Sequence, residues 1–396
     1  MTRVLVVDDS RFMRTVIGNA LSRAGYEVET AENGADSLEA VQAFEPDVVT
    51  MDVQMPVMDG IEAVERIMTT DPIPILMLSA YTDEGTDATL EALDSGAVDF
   101  LTKPDGSSSR NVAHLIEDLI ETVDSLADAD VSSLAVAHTA SAARSVRAVR
   151  ASQPSFEPSS SSGPALGSSA KLRSATPAAG KPGPDRLADP HSSRVEFDDC
   201  LADPTIVIGA STGGPKIVER LLERLPRSLE ATGLVVQHMP AEFTRRFAER
   251  LDGRTAYDVR EAGHDERIDP GEIVVAPGGE HLVVTANVGG SLRVRLDDGD
   301  PVNGVRPSID VTMESVAEHV TDPICGVVLT GMGSDGAAGI EAISDAGGAT
   351  IAQDEATSPV FGIPARAIQT GCVDRVAAEP DIADEIVETC TGEHRD

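Results

Sequence analysis

Three side chains in the C-terminal half have the types that acyl transfer needs: Ser211, His238 and Asp335. Ser211 lies in Gly209-Ala210-Ser211-Thr212-Gly213, a GxSxG pattern directly after the apolar run Ile206-Val207-Ile208. Such a strand-to-helix turn exposes a hydroxyl beside backbone N–H groups. A serine is a weak nucleophile near neutral pH and needs a base, which in turn needs an orienting acid. His238 closes the next apolar run, in GLVVQHMP, and Asp335 lies in LTGMGSDGAAG, after the run at 324–330. In a parallel sheet all three positions fall at one edge. Their chain order, Ser then His then Asp, is not that of the α/β-hydrolases, chymotrypsin or subtilisin. The backbone N–H of Thr212, next to the nucleophile, is a natural oxyanion donor.

Two phosphate-binding readings compete at the same positions. GASTGGPK comes close to the loop pattern GxxxxGK[ST], but Pro215 stands where the lysine belongs and Lys216 is one position late. Gly331-Met332-Gly333-Ser334-Asp335-Gly336 is a literal GxGxxG between a strand and a helix, with Asp354 after the next strand as a candidate ribose ligand. On spacing alone, dinucleotide binding stays open. Against it, Asp335 would put a negative charge beside the pyrophosphate.

The N-terminal part holds a different chemistry. Reading the residue at each strand end gives Asp8 and Asp9, Asp52, Ser79 and Lys103. Ligands of open parallel sheets gather at that edge. Three carboxylates suit Mg²⁺, a hard cation that prefers oxygen ligands and water. A carboxylate beside such an ion can attack a phosphoryl group, with the lysine and hydroxyl holding its oxygens.

The elements that must position these groups are legible as short apolar runs. Strands are expected at 3–7, 27–31, 47–51, 73–78 and 98–101, with helical patterns between them and one more from about Asn111. A second series is expected at 205–208, 233–237, 272–276, 281–285, 324–330 and 349–352. Both series predict α/β domains, each with a doubly wound parallel sheet. The expected domains are 1–126 and 203–396, joined by a flexible linker at 127–202. Ser, Ala, Pro and Gly dominate that linker, and 131–194 carries eight Arg/Lys against three Asp/Glu, with a transient helix possible in its early part.

With 67 Asp/Glu against 31 Lys/Arg, the 396-residue chain has a formal net charge of −36, which argues against binding to nucleic acid or to anionic membrane surfaces. The only lysines are Lys103, Lys171, Lys181 and Lys216; strong acidity with few lysines fits solvation in a high-salt cytoplasm. The four cysteines are far apart and form no CxxC pair, so reduced thiols are expected rather than a zinc site or disulfide framework. No apolar run approaches the length of a membrane span, and no signal-like segment opens the chain. A cytoplasmic monomer is expected.

VLVVDDS, TMDVQMPVMDG, LSA and FLTKP resemble the signature blocks of a two-component receiver domain. The resemblance implies a flavodoxin-like (βα)5 fold, Asp52 as phosphoacceptor, and Asp8 and Asp9 with Asp52 at Mg²⁺. It also implies Ser79 and Lys103 as switch partners and Phe100 as the aromatic rotamer switch. GASTGGP, VVQHMPAEFTRRFAERL, VVAPGGEHL, RPSIDV, LTGMGSDGAAG and QDEATSPVFGIP resemble the catalytic domain of the chemotaxis protein-glutamate methylesterases. That resemblance implies Ser211 as nucleophile, His238 as base, Asp335 as its partner, and Met332 beside Thr212 as the second oxyanion donor. The implied activity is hydrolysis of glutamate γ-methyl esters on chemoreceptor cytoplasmic helices, with deamidation of particular receptor glutamines and no cofactor for the hydrolysis. The implied phosphodonor is a chemotaxis histidine kinase. The linker is longer than the family usually shows, so leaky inhibition by the unphosphorylated receiver is expected.

Overall fold

A computed structural model of the chain describes residues 1–80, 83–103, 109–127 and 203–392. The expected linker, with its transient helix, lies outside the described residues apart from Ala127.

In the first domain, strands β1 (Arg3–Val7), β2 (Glu27–Ala31), β3 (Val48–Asp52), β4 (Ile75–Ala80) and β5 (Asp99–Lys103) alternate with helices. The helices are α1 (Arg11–Ala24), α2 (Gly34–Phe44), α3 (Gly60–Thr70), α4 (Asp83–Asp94) and α5 (Ser109–Ala127). The parallel sheet has the order β2-β1-β3-β4-β5. β3 and β4 are nearly continuous buried runs because helices cover both faces. β2, at the edge, keeps only Ala31 buried. Local chemistry sets the helix ends: Ser10 and Asp59 accept hydrogen bonds from the N–H groups of Met13 and Glu62, and Gly25 ends α1 in the left-handed region.

The second domain begins with β6 (Thr205–Ala210), α6 (Gly214–Arg224), β7 (Thr232–Gln237) and α7 (Ala241–Arg254). Short strands follow at β8 (Asp258–Glu261), β9 (Glu266–Ile268) and β10 (Glu272–Val275), then the hairpin β11 (His281–Val288) and β12 (Ser291–Asp297). The chain then runs through α8 (Ile309–His319), β13 (Ile324–Val328), α9 (Ala337–Asp345), β14 (Ala349–Gln353), α10 (Ile363–Thr370), β15 (Arg375–Ala377) and α11 (Ile382–Thr391). Seven strands form a parallel sheet in the order β15-β14-β13-β6-β7-β10-β8. β6 sits between β13 and β7, so the chain leaves it in opposite directions along the sheet. The crevice at such a reversal is where ligands bind. β11, β12 and β9 make a separate antiparallel sheet.

Four strands were not expected from sequence: β8, β9, β12 and β15. Three of them have only three or four residues and sit at sheet edges or against the hairpin. β12 pairs with β11 around Gly289-Gly290, both at positive φ, a hairpin signal that the sequence does carry.

The two domains share buried apolar surface. Leu90, Leu93 and Phe100 of the first belong to one cluster with Phe243 and Phe247 of the second. Beside it, Asp94 at the end of α4 is paired with Lys216 (2.7 Å), Arg250 and Arg254 (3.0 Å). Buried Glu219 of α6 binds the same three cations at 2.7–2.9 Å. Among the described residues no helix is long and apolar enough to cross a membrane.

Candidate active site

β6 carries Ser211 to the sheet edge, β7 carries His238, and the loop after β13 carries Asp335. The turn after β6 is tight for steric reasons. Gly213 has φ +75°, and a Cβ on Gly214 would lie 2.3 Å from the Gln237 amide oxygen. A Cβ on Gly331 would come within 2.6 Å of Ser211 Cβ, so glycine there lets the β13 loop approach the serine. Ser211 is held by its N–H to Thr330 O (3.0 Å) and by Gln237 Nε2 to its carbonyl (2.9 Å).

His238 Nε2 and Asp335 Oδ2 are 2.8 Å apart. Asp335 is buried, and burial alone would raise its pKa. The hydrogen bonds from His238, from the Ser308 hydroxyl (2.7 Å) and from the Ile309 N–H (2.6 Å) outweigh it and hold the carboxyl at about 2. It is therefore an anion at any working pH. Ser211 and His238 line the same cleft, of roughly 420 Å³. Among the described residues no hydrogen bond joins Ser211 Oγ to the ring; bonds of this kind often tighten only when substrate binds. Thr212 and Met332 line that cleft as well, and neither N–H donates to a protein acceptor among the described residues.

Sequence reasoning missed the groups that fix Asp335. Asn303 Nδ2 bridges Asp335 Oδ1 (3.1 Å) and Asp310 Oδ2 (2.7 Å). Asp310 Oδ1 accepts the N–H groups of Gly336 (2.8 Å) and Gly339 (2.7 Å), the first turn of α9. Asp310 thereby ties α8 to the loop that presents Asp335. Burial raises the pKa of Asp310, and Asp335 adds to the rise, while these N–H groups oppose it. RPSIDV, which holds both Ser308 and Asp310, was the available signal.

In the first domain Asp8, Asp9 and Asp52 offer carboxylate oxygens within 4.8 Å of one another. Lys103 Nζ lies 2.7 Å from Asp8 and 2.8 Å from Asp52. Burial raises the pKa of Asp52, with Lys103 opposing it. The donor set, all oxygen and partly open through exposed Asp9, fits a hard divalent cation. Ser79 is not brought to this cluster by any hydrogen bond. Its hydroxyl binds Gly85 O (3.2 Å) and accepts from Thr89 (2.7 Å), turned toward α4. Phe100 is buried and faces the second domain.

The first domain also closes over the cleft. Asp99, Phe100, Leu115 and Asp118 line it opposite Ser211 and His238. The Asp99 carboxylate accepts the Phe100 N–H (2.8 Å), and the Thr212 hydroxyl and Gly213 N–H, in the turn that carries Ser211, lie close enough to favour its charged form. Burial raises its pKa to about 7 despite these contacts.

Residues 206–386 match the family described as CheB methylesterase, and residues 4–113 match the response regulator receiver domain. A protein-glutamate methylesterase/protein-glutamine glutaminase of Haloarcula marismortui is 47% identical over 99% of this chain and 98% of its own length. The protein of the same name from Halobacterium salinarum is 46% identical over 98% of this chain and 99% of its own. The one from Archaeoglobus fulgidus is 38% identical over 97% of each. With both domains matched in the same order and relatives aligned from end to end, the chain belongs to the protein-glutamate methylesterase/protein-glutamine glutaminase family, a receiver domain followed by a CheB methylesterase domain.

Proposed function

We propose that the chain is a phosphorylation-controlled hydrolase of glutamate γ-methyl esters on chemoreceptor helices, also deamidating particular receptor glutamines, and that it serves adaptation in chemotaxis. The observation that carries the reading is the buried, ionised Asp335 bonded to His238 in the cleft that holds Ser211.

The chemistry follows from that arrangement. With Nε2 donating to Asp335, Nδ1 of His238 is the nitrogen left to accept a proton. Ser211 Oγ attacks the ester carbonyl while His238 takes its proton. The tetrahedral oxyanion is met by the free N–H groups of Thr212 and Met332, a kind of contact whose loss typically costs about 10²–10³ in rate. Collapse breaks the acyl–oxygen bond, and methanol leaves with the proton from His238. A water, deprotonated by the same ring, then releases the substrate carboxylate and restores Ser211. With a glutamine substrate the leaving group is ammonia. Asp335, fixed by Ser308, Ile309 and Asn303, holds the ring and stabilises its charged form.

In the receiver, Asp8, Asp9 and Asp52 would hold Mg²⁺, which when bound neutralises charge on a phosphoryl group. Asp52 is the carboxylate that becomes the acyl phosphate, and Lys103 is within reach of its oxygens. The unphosphorylated receiver inhibits in cis, because β5 and α5 stand over Ser211 and Asp99 lies against its turn.

The dinucleotide alternative loses support at two positions. The Gly336 and Gly339 N–H groups, which a pyrophosphate would need, are committed to Asp310. Asp354, the candidate ribose ligand, accepts from the Thr357 N–H and hydroxyl. The experiment is methanol release from methylated receptor by the full chain, with Mg²⁺, with and without a small phosphodonor. Release stimulated by the phosphodonor is expected. No release under either condition would leave only a binding module with an idle triad.

A further inference from the structure

Arg306 lines the cleft beside Ser211 and His238, yet its guanidinium is only half used. Nη1 donates to the carbonyls of Asp298 and Gly299, both at 2.6 Å. The Gly279 N–H binds the Arg306 carbonyl at 3.0 Å, so main chain and side chain are both fixed. Nε is buried without a partner, and Nη2 has no hydrogen bond among the described residues. Among the described residues no Asp or Glu carboxylate pairs with the group; its partners are the two carbonyls. The Nε–Nη2 edge is the one that takes a carboxylate side-on through two parallel bonds.

The opposite wall of the cleft indicates what that edge meets. It is formed by α5, which places Asp118 and Glu121 there. The cleft is thus covered by an acidic helix of the chain itself, with a fixed arginine on the facing side. On a helix, residues three or four apart lie about 5–6 Å from each other on one face. A carboxylate one turn from the reacting ester would share the cleft with it.

We propose that Arg306 is a specificity-determining residue that selects substrate helices bearing a carboxylate one turn from the scissile ester. The proposal rests on the hydrolase reading above and names the feature of the substrate that the site recognises. The fixed guanidinium binds that carboxylate and sets the ester carbonyl against Ser211. α5 covers the same ground with its own acids when the receiver is docked.

The test uses the full chain with Mg²⁺ and a phosphodonor, and three synthetic helical peptides with one glutamate γ-methyl ester each. The residues four before and four after the ester are Glu in the first, Ala in the second and Lys in the third. The quantity read is the ratio of kcat/KM for methanol release between peptides within each enzyme, which cancels any general loss from altered folding. The wild type is expected to favour the Glu peptide over the Ala peptide by about tenfold, mostly through KM, as a charge-assisted bond in a half-open cleft would give. Arg306→Gln should bring that ratio close to one, and Arg306→Glu should move the Lys peptide ahead of the Glu peptide. A Glu preference that survives in Arg306→Gln, or is missing in the wild type, overturns the proposal. No methanol from any peptide with the wild type would overturn the hydrolase reading, and this proposal with it.

Discussion

The ring of Phe100 in the receiver stacks on the ring of Phe243 in the catalytic domain, with centroids 4.2 Å apart and planes inclined by 29°. Phe100 ends up on the face of β5 that meets α7, so the residue expected to change rotamer on phosphorylation is also a contact between the domains. Turning the Phe100 ring away removes that contact. An aromatic pair of this kind contributes about 0.5–1.5 kcal/mol beyond the area it buries. Phe243→Leu, which keeps most of the buried volume, should raise methanol release without phosphodonor by roughly fivefold, the equivalent of about 1 kcal/mol. The rate with phosphodonor should change little. Equal basal rates in the variant and the wild type would separate the stack from control.

Asp94 supplies the charged half of the same boundary. It faces Lys216, Arg250 and Arg254 at once, and although burial would raise its pKa, the hydrogen bonds from Arg250 and Lys216 lower it. Asp94→Asn leaves Glu219 as the one carboxylate that all three cations still share. Basal methanol release should rise about tenfold, in line with a charge-assisted contact of about 1.5 kcal/mol. Added KCl should raise the basal rate of the wild type and move the variant less, because the pairs that salt screens are already weakened. A basal rate that is insensitive to both changes would contradict a role in docking.

Asp99 makes docking depend on pH in the opposite sense to an ordinary ion pair. Its docked pKa is about 7, raised from 3.8 chiefly by burial. If undocking opens Asp99 to water, the docked form binds the proton more tightly than the undocked one. Docking is strongest where Asp99 is protonated in both, weakens as pH rises from about 4 to 7, and is flat above. The ratio of phosphodonor-stimulated to basal release should fall as pH rises through that window. In Asp99→Asn the ratio should vary less, since the titrating group is gone. Parallel pH profiles for the two proteins would refute this.

Asp52 stands at the end of β3 beside Asp8, Asp9 and Lys103. Incubation with Mg²⁺ and a small radiolabelled phosphodonor should label the wild type, and chelation of Mg²⁺ should abolish labelling. Asp52→Asn keeps the shape and removes the attacking oxygen, so it should take up no label. Equal labelling of the two proteins would move the phosphoacceptor elsewhere.

The sites were legible where a side chain is placed by the end of a strand. Ser211 and His238 follow β6 and β7, and a short continuous apolar run leading to a polar residue announces them. Asp335 follows β13 by the same rule. The groups that hold Asp335 were not legible, because Asn303 comes from a loop and Ser308 and Asp310 from the start of α8. Their approach to the β13 loop depends on how α8 packs, which no local pattern encodes. Ser79 shows the limit of the rule itself: it ends β4 as expected, yet its hydroxyl turns to Gly85 and Thr89 rather than to Asp52. Asp99 acquires its role only from a second domain more than a hundred residues away in sequence. The short strands β8, β9 and β15 carry too few residues to show a period, and neighbours rather than propensity make them strands.

The most direct test of the account is methanol release from methylated receptor by the wild type and by Ser211→Ala, both with Mg²⁺ and phosphodonor. Loss of a triad nucleophile lowers turnover by several orders of magnitude. The account predicts that Ser211→Ala releases methanol at least about 10³-fold more slowly while it is still labelled by the phosphodonor, which shows the chain to be folded. A labelled Ser211→Ala chain that releases methanol at a rate near that of the wild type would contradict it.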